Sequence, residues 1–282
     1  MNETTPLVLV LGATGRTGSR AVSGLTARGL QVRTAARSGA DVRFDWNDVG
    51  THAPALAGVD RLYLVSPLLR TDYAADVSAF LDKAQAAGVR HVTYLSAYGI
   101  EAAPADVAPR AVELDLMGRD DLGWSILRPA WFMQNFSDLF LKPVDGAIIA
   151  PTGDGTEAFV DAEDIAAVAV ETLADPRAHN GGEYAITGPE ALTVADVAAI
   201  IGDAAGQDVK HVDLDREAWV AGAVANGVPA AYGEVLRELT ETIATGRGAR
   251  PNDVVEKVTG RPPRSFKEFA ARTASVWKEN NR

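Results

Sequence analysis

Through the first half of the chain, short apolar runs alternate with longer stretches whose apolar residues recur at helical spacing. The runs LVLVL (7–11), QVRTAA (31–36), VRF (42–44), RLYLV (61–65), HVTYLS (91–96) and WSILR (124–128) each predict a strand. Helical patterns fall after Gly15, over about 70–87 and over about 108–121. Gly29 and Gly88 stand where helix C-termini need a residue free to turn left-handed. Alternation of this kind predicts right-handed βαβ units and a doubly wound parallel α/β sheet.

Past about residue 130 the texture changes. FVDAEDIAAVAVETLADP reads as a helix, with Asp161 as a candidate cap, Asp164 near the positive helix end and Pro176 at the exit. EYAIT (183–187) predicts a strand, Thr193 opens a further helix, and the chain from REAWVAGAVANG onward is mainly helical. With no internal repeat or low-complexity linker, the expected organisation is a Rossmann-type domain over 1–150. Residues 151–282 are expected to complete the sheet and form a smaller, mainly helical C-terminal lobe that binds substrate.

Composition narrows the function. The 282 residues are 47% hydrophobic and 23% charged, ordinary for a globular protein with a substantial core. No apolar run approaches the ~20 residues that span a bilayer, and MNETTP lacks the basic and apolar segments of a signal peptide, so a cytoplasmic protein without membrane contact is expected. A formal charge of −11 opposes binding to a nucleic-acid backbone. There is no cysteine, and His52, His91, His179 and His211 are scattered without ligand spacing, so no metal centre is expected.

The candidate chemistry begins at LGATGRTGSR (11–20), between the first strand and first helix. Gly12 suits a tight turn, Gly15 lets a pyrophosphate approach the backbone, and Gly18 permits close helix packing. The helix N-terminus adds free N–H groups and partial positive charge. Thr14, Arg16 and Thr17 in the same turn join the candidate dinucleotide contacts; a purely structural glycine turn is the alternative. After the second strand, VRTAARSG has no acid for a ribose 2′-hydroxyl until Asp41, while Arg37 with Ser38 favours the 2′-phosphate of NADPH over NADH. Both Arg33 and Arg37 also read as solvated charges, Arg33 on the other side of the strand. In VRFDWND, Asp45 is placed for an adenine amino group beside Trp46, or is a loop acid.

These segments together resemble an atypical short-chain dehydrogenase/reductase of the NmrA-like group. The resemblance rests on LGATGRTG, VRTAAR, GVRHVTYLSAYG, WSILRPAWFMQNF, AFVDAEDIAAVAVETL and YAITGPEALTVADVAAII, and covers nearly the whole chain. VVEKVTGRPPRSFKEFA and RLYLVSP resemble the branch containing ergot-alkaloid reductases and related tailoring reductases of natural-product pathways. The resemblance implies NAD(P)(H) and a small, often aromatic substrate. It implies further that Ser66 and Pro67 lie by the cofactor ribose, that LSAYG with Ser96 borders the nicotinamide, and that PAWFMQNF shapes the substrate pocket.

No tyrosine is followed by lysine at the Tyr-x-x-x-Lys spacing by which many dehydrogenases lower a tyrosine pKa. Arg110 is the nearest basic candidate before GWSILRP, and an arginine can orient or stabilise charge but not give up its proton. Ser96 and Tyr98 follow a strand at its carboxyl end, where open α/β sheets bind ligands; Tyr98 is either a hydrogen-bond or proton donor or a structural aromatic. Trp131, Phe132, Met133, Asn135 and Phe136 are the candidate substrate contacts, with core packing as the competing role. Hydride transfer needs position more than a protein acid, so conjugated acceptors fit better than simple ketones. The expected function is an NAD(P)H-dependent reductase of a conjugated aromatic or quinoid, anthraquinone-like metabolite in bacterial antibiotic or other natural-product biosynthesis, with a homodimer as a candidate assembly. An iminium or imine reductase of ergot-alkaloid type, and a non-catalytic NAD(P) redox sensor regulating a protein partner, are the alternatives.

Overall fold

The computed structural model describes residues 5–139 and 141–278; most of MNETTP and the last four residues of the expected terminal helix lie outside them. Along the chain, β1 (Leu7–Leu11) leads to α1 (Arg16–Ala27), β2 (Gln31–Ala36), β3 (Val42–Arg43), α2 (His52–Leu56), β4 (Arg61–Val65), α3 (Ala74–Ala86), β5 (His91–Leu95), α4 (Ala108–Met117) and β6 (Gly123–Pro129). Then come α5 (Asn135–Asp138), β7 (Ala147–Ile149), β8 (Thr156–Glu157), α6 (Ala162–Ala174), α7 (Pro176–His179) and β9 (Gly182–Ile186). The remainder holds β10 (Leu192–Thr193), α8 (Val194–Ala205), β11 (Lys210–Val212), α9 (Arg216–Ala225), α10 (Ala230–Ala244), α11 (Val254–Thr259) and α12 (Phe266–Lys278).

The chain divides into two compact units that interleave in sequence. One runs to Pro129 and takes in Ala162–Ala185; the other is Ala130–Asp161 with the chain from Ile186 onward. This division differs from the contiguous halves expected from texture, because α6 and most of β9 return to the first unit after an excursion.

The first unit is built on a seven-stranded sheet in the order β3-β2-β1-β4-β5-β6-β9. Neighbours from β3 to β6 pair in parallel. At the last pair, Gly181 N–H donates to Trp124 O and Ala130 N–H to Ile186 O, so both strands advance together. Successive residues of β1 point to opposite faces, and Val8, Leu9, Val10 and Leu11 are all buried, which is why a strand covered on both sides reads as an unbroken apolar run. Leu9 and Leu11 join the core with Phe80 of α3 and Val112 and Leu116 of α4. On the other face α1 meets α6 at Gly24, where a Cβ would lie 2.7 Å from Val170 Cγ2. Close helix contact therefore needs glycine at that position.

The second unit has its own core, with Met133, Phe136, Phe159, Val197, Ile201, Phe266, Phe269 and Trp277. Phe136 meets Phe159 and Phe266 edge to face at 5.1 and 5.4 Å between ring centres. Small sheets pair β8 with β10 and β7 with β11. Helix α8 starts as Thr193 predicts: its hydroxyl accepts the Asp196 N–H at 3.0 Å while Asp196 accepts the Thr193 N–H at 2.9 Å. Asp161 is fully buried, accepting from Gln134 Nε2 at 2.8 Å and from Arg272 of α12. Among the described residues no helix is long and apolar enough to cross a membrane.

Candidate active site

The glycine turn after β1 is shaped to hold an anion. Gly12 has φ +61°, and Gly15 N–H closes the turn onto Gly12 O at 2.8 Å. A Cβ on Gly18 would lie 2.2 Å from that carbonyl oxygen, so any side chain there collides with backbone. Gly12, Thr14 and Gly15 are exposed, Arg16 is half-buried, and Thr17 and Gly18 are buried behind them. Helix α1 begins with no side-chain cap and no acid in its first turn. Its leading N–H groups and positive dipole end are left for a ligand, which fits a dinucleotide diphosphate.

The loop after β2 flanks this turn: a Cβ on Gly39 would lie 3.8 Å from Thr14 Cγ2. Its shape is set by Thr34 and Asp41. Asp41 Oδ2 accepts the Thr34 N–H at 2.9 Å, and Thr34 Oγ1 accepts the Asp41 N–H at 2.8 Å. The Thr34 N–H and hydroxyl hold the Asp41 carboxyl below its ordinary pKa. Asp41 is thus a loop lock, and the exposed side chains at the tip are Arg37 and Ser38. Arg33 points elsewhere, donating to Ala55 O of α2 at 3.0 Å and to Ala57 O just past it at 2.6 Å. Asp45 Oδ1 accepts the Asn47 N–H at 3.0 Å, the loop-acid geometry, with Arg43 3.9 Å from Oδ2. Half-buried Trp46 packs edge-on against Phe44, His52 and Phe80.

At the carboxyl ends of β4 and β5, Ser66 and Ser96 each stand one residue past the strand. Pro67 is buried beside half-buried Ser66, whose hydroxyl shares a hydrogen bond with Tyr94 Oη at 3.1 Å. Burial, with Tyr73 alongside, keeps the Tyr94 phenol well above its ordinary pKa, so it remains a neutral hydroxyl. Ser96 and Tyr98 continue β5 along β6, their N–H groups donating to Leu127 O at 2.8 Å and Pro129 O at 3.0 Å.

Ser96 Oγ donates to Glu113 Oε1 at 2.6 Å, a partnership the sequence did not disclose. Glu113 is fully buried on α4 and receives Arg128 Nε and Nη2, each at 2.8 Å, and Arg110 Nη1 at 2.8 Å. Burial pushes its pKa up, but the hydrogen bonds from Arg128, Ser96 and Arg110 outweigh that and hold the carboxyl below the ordinary range. Arg128 also reaches Glu183 of β9 at 2.6 Å. Arg110 is therefore engaged by Glu113 rather than standing as an isolated cation. The signal for Glu113 was an acid placed three residues after Arg110 on a helix, which by itself looks like a surface pair.

In the second unit the segment after β6 separates by burial. Met133 and Phe136 are sealed in the core at 1% and 0% exposure, so direct substrate contact is replaced for them by a supporting role. Trp131, Phe132 and Asn135 are half-buried and keep accessible surface. A Ser–His pair does occur elsewhere in the first unit, where Ser125 Oγ lies 3.2 Å from His91 Nε2. Ser125 donates its proton to His179 O at 2.8 Å, so His91 must be the donor to Ser125, opposite to what a serine nucleophile requires.

Two family descriptions cover this chain: NAD(P)H-binding over residues 12–176 and the NmrA-like family over residues 122–270. The chain belongs to the NmrA-like family of NAD(P)H-binding proteins. It is 38% identical to the uncharacterized oxidoreductase YesF of Bacillus subtilis, over 96% of each chain. It is 32% identical to the NAD(P)H azoreductase of Xenophilus azovorans, over 96% of this chain and 99% of that one. With (4-alkanoyl-5-oxo-2,5-dihydrofuran-3-yl)methyl phosphate reductase of Streptomyces griseus the identity is 32%, again over 96% and 99%. This NmrA-like protein is an NAD(P)H-dependent oxidoreductase, and the uncapped α1 terminus with its glycine cradle is consistent with that cofactor.

Proposed function

We propose that the protein reduces a conjugated, electron-poor metabolite of aromatic or quinoid type in a bacterial biosynthetic pathway, using NADPH in preference to NADH. The observation that carries this reading is that the Ser96–Glu113–arginine network at the β5 end has no proton to give, which leaves Tyr98, with no lysine at the Tyr-x-x-x-Lys spacing, as the remaining donor there. Ser96 gives its proton to an ionised Glu113, and Arg110 and Arg128 are bound to the same carboxylate. A simple ketone needs a proton delivered as its alkoxide forms, whereas a conjugated acceptor spreads the charge that the hydride brings. Two relatives support the substrate class by their names, one acting on azo compounds and one on a dihydrofuranone bearing an additional alkanoyl group. Bound NAD(P)H supplies the hydride. The chain's own contribution is to hold the diphosphate at Gly12–Gly18, to meet the 2′-phosphate with Arg37 and Ser38, and to offer the Tyr98 hydroxyl to the acceptor.

The test is oxidation of NADPH and NADH by purified protein with naphthoquinones, hydroxyanthraquinones, azo dyes, cyclic iminium salts and unactivated ketones. Turnover confined to conjugated carbonyl or azo acceptors is expected. Turnover limited to iminium salts would favour the imine reductase, and equal turnover of plain ketones would overturn the reading.

A further inference from the structure

We propose that Ser96 is a fixed hydrogen-bond acceptor for the nicotinamide end of NAD(P)H, and that Glu113 is the positioning residue that makes it so. A serine hydroxyl has one proton and two lone pairs, and ordinarily turns to suit its ligand. Here the choice is removed. Glu113 is fully buried, ionised, and has no proton to give, so the 2.6 Å bond can run only from Ser96 Oγ to Glu113 Oε1. Arg128 holds both carboxylate oxygens, Nε on Oε1 and Nη2 on Oε2, and Arg110 adds a second bond to Oε2. What remains of Ser96 toward a ligand is its lone pairs.

That polarity selects the ligand. A phosphate, a quinone oxygen or a developing oxyanion offers only acceptor atoms and is not matched by Ser96. Two carboxylates, Glu101 and Glu183, lie 3.5 and 2.6 Å from the Arg128 guanidinium and further disfavour an anion. A neutral O–H or N–H donor is matched. In the sheet β4 lies between β1 and β5, so Ser96 sits two strand spacings, about 10 Å, across from the strand that carries the diphosphate turn. The donors of NAD(P)H on that side of its diphosphate are the nicotinamide-ribose hydroxyls and the carboxamide N–H2. The inference rests on the cofactor and not on the identity of the acceptor substrate.

The test is NADPH affinity without any acceptor, measured by fluorescence for the wild type, Ser96→Ala, Ser96→Thr, Glu113→Gln and the Ser96→Ala/Glu113→Gln double variant. Loss of one hydrogen bond predicts roughly tenfold weaker binding for Ser96→Ala and recovery in Ser96→Thr. In Glu113→Gln an amide N–H2 in place of Oε1 keeps the oxygen on the two N–H groups that meet Oε2, loses the bond from Arg128 Nε and donates to Ser96, so the serine proton turns outward. Binding should fall by a similar factor, and the double variant should be no weaker than either single one. Multiplying losses would mean that Glu113 acts independently of Ser96, and unchanged affinity in Ser96→Ala would remove the contact; either overturns the proposal. If Glu113→Gln does not fold, the alanine–threonine pair still decides the contact. The 3-acetylpyridine analogue of NADPH, which lacks the carboxamide N–H2, separates the donors. Its affinity is insensitive to Ser96→Ala if the carboxamide is bound, and falls like that of NADPH if a ribose hydroxyl is.

Discussion

Glu157 accepts the backbone N–H of Ala249 at 2.9 Å while only 3% exposed. Burial lifts its pKa from near 4.5 to about 7, with the N–H groups of Ala249 and Trp131 pulling partly the other way. The unfolded chain ionises first, so this group makes the protein lose stability as pH rises from about 4.5 through 7, with a plateau above. The full effect is about 3 kcal/mol. Urea denaturation of Glu157→Gln at pH 5 and pH 8 should show a smaller drop between the two than the wild type; an unchanged drop would assign the dependence elsewhere.

His91 titrates in the opposite sense. Burial, with Arg61 and His179 nearby, lowers its pKa from 6.5 to about 4. Between those values the unfolded chain takes up a proton that the folded chain refuses, so stability falls as pH drops from 6.5 toward 4, by about 3 kcal/mol. His91→Gln keeps an N–H for Ser125 and removes the titration, so its stability should be flatter over that interval.

At the phosphate turn, Gly18→Ala places a methyl 2.2 Å from the Gly12 carbonyl oxygen, and backbone rather than a side chain must move. Dinucleotide affinity should fall at least about tenfold for both NADPH and NADH, since the turn holds the part they share. Equilibrium dialysis with each cofactor reads this directly, and a protein with unaltered affinity would show that the turn tolerates a Cβ.

Arg37 is exposed at the tip of the loop closed by Thr34 and Asp41. Arg37→Glu should weaken NADPH by about ten- to a hundredfold and NADH by about twofold or less, because only NADPH carries the 2′-phosphate. Equal losses would remove Arg37 from cofactor discrimination.

Much of the framework was legible because it depends on local periodicity and turn chemistry. The run QVRTAA matches β2 from Gln31 to Ala36, Gly29 and Gly88 take positive φ after their helices, and Thr193 caps α8. The roles of single side chains were less legible. Nothing in the sequence marked Asp41 as a loop lock; Met133 and Phe136, candidates for pocket or core, are core. Glu157 gave no sign of burial beside Thr156, since its environment comes from Ala249 and Trp131, both distant in sequence.

The sequence by itself determined a parallel doubly wound sheet, a glycine turn for a dinucleotide, and the absence of a Tyr-Lys pair, because strand alternation, backbone freedom and residue spacing are written within short windows. Tertiary structure alone decided that Ser96, Glu113, Arg110 and Arg128 share one buried charge network. The direction of a hydrogen bond and the ionisation of a buried acid depend on which groups distant strands and helices bring within 3 Å, and no local pattern encodes that.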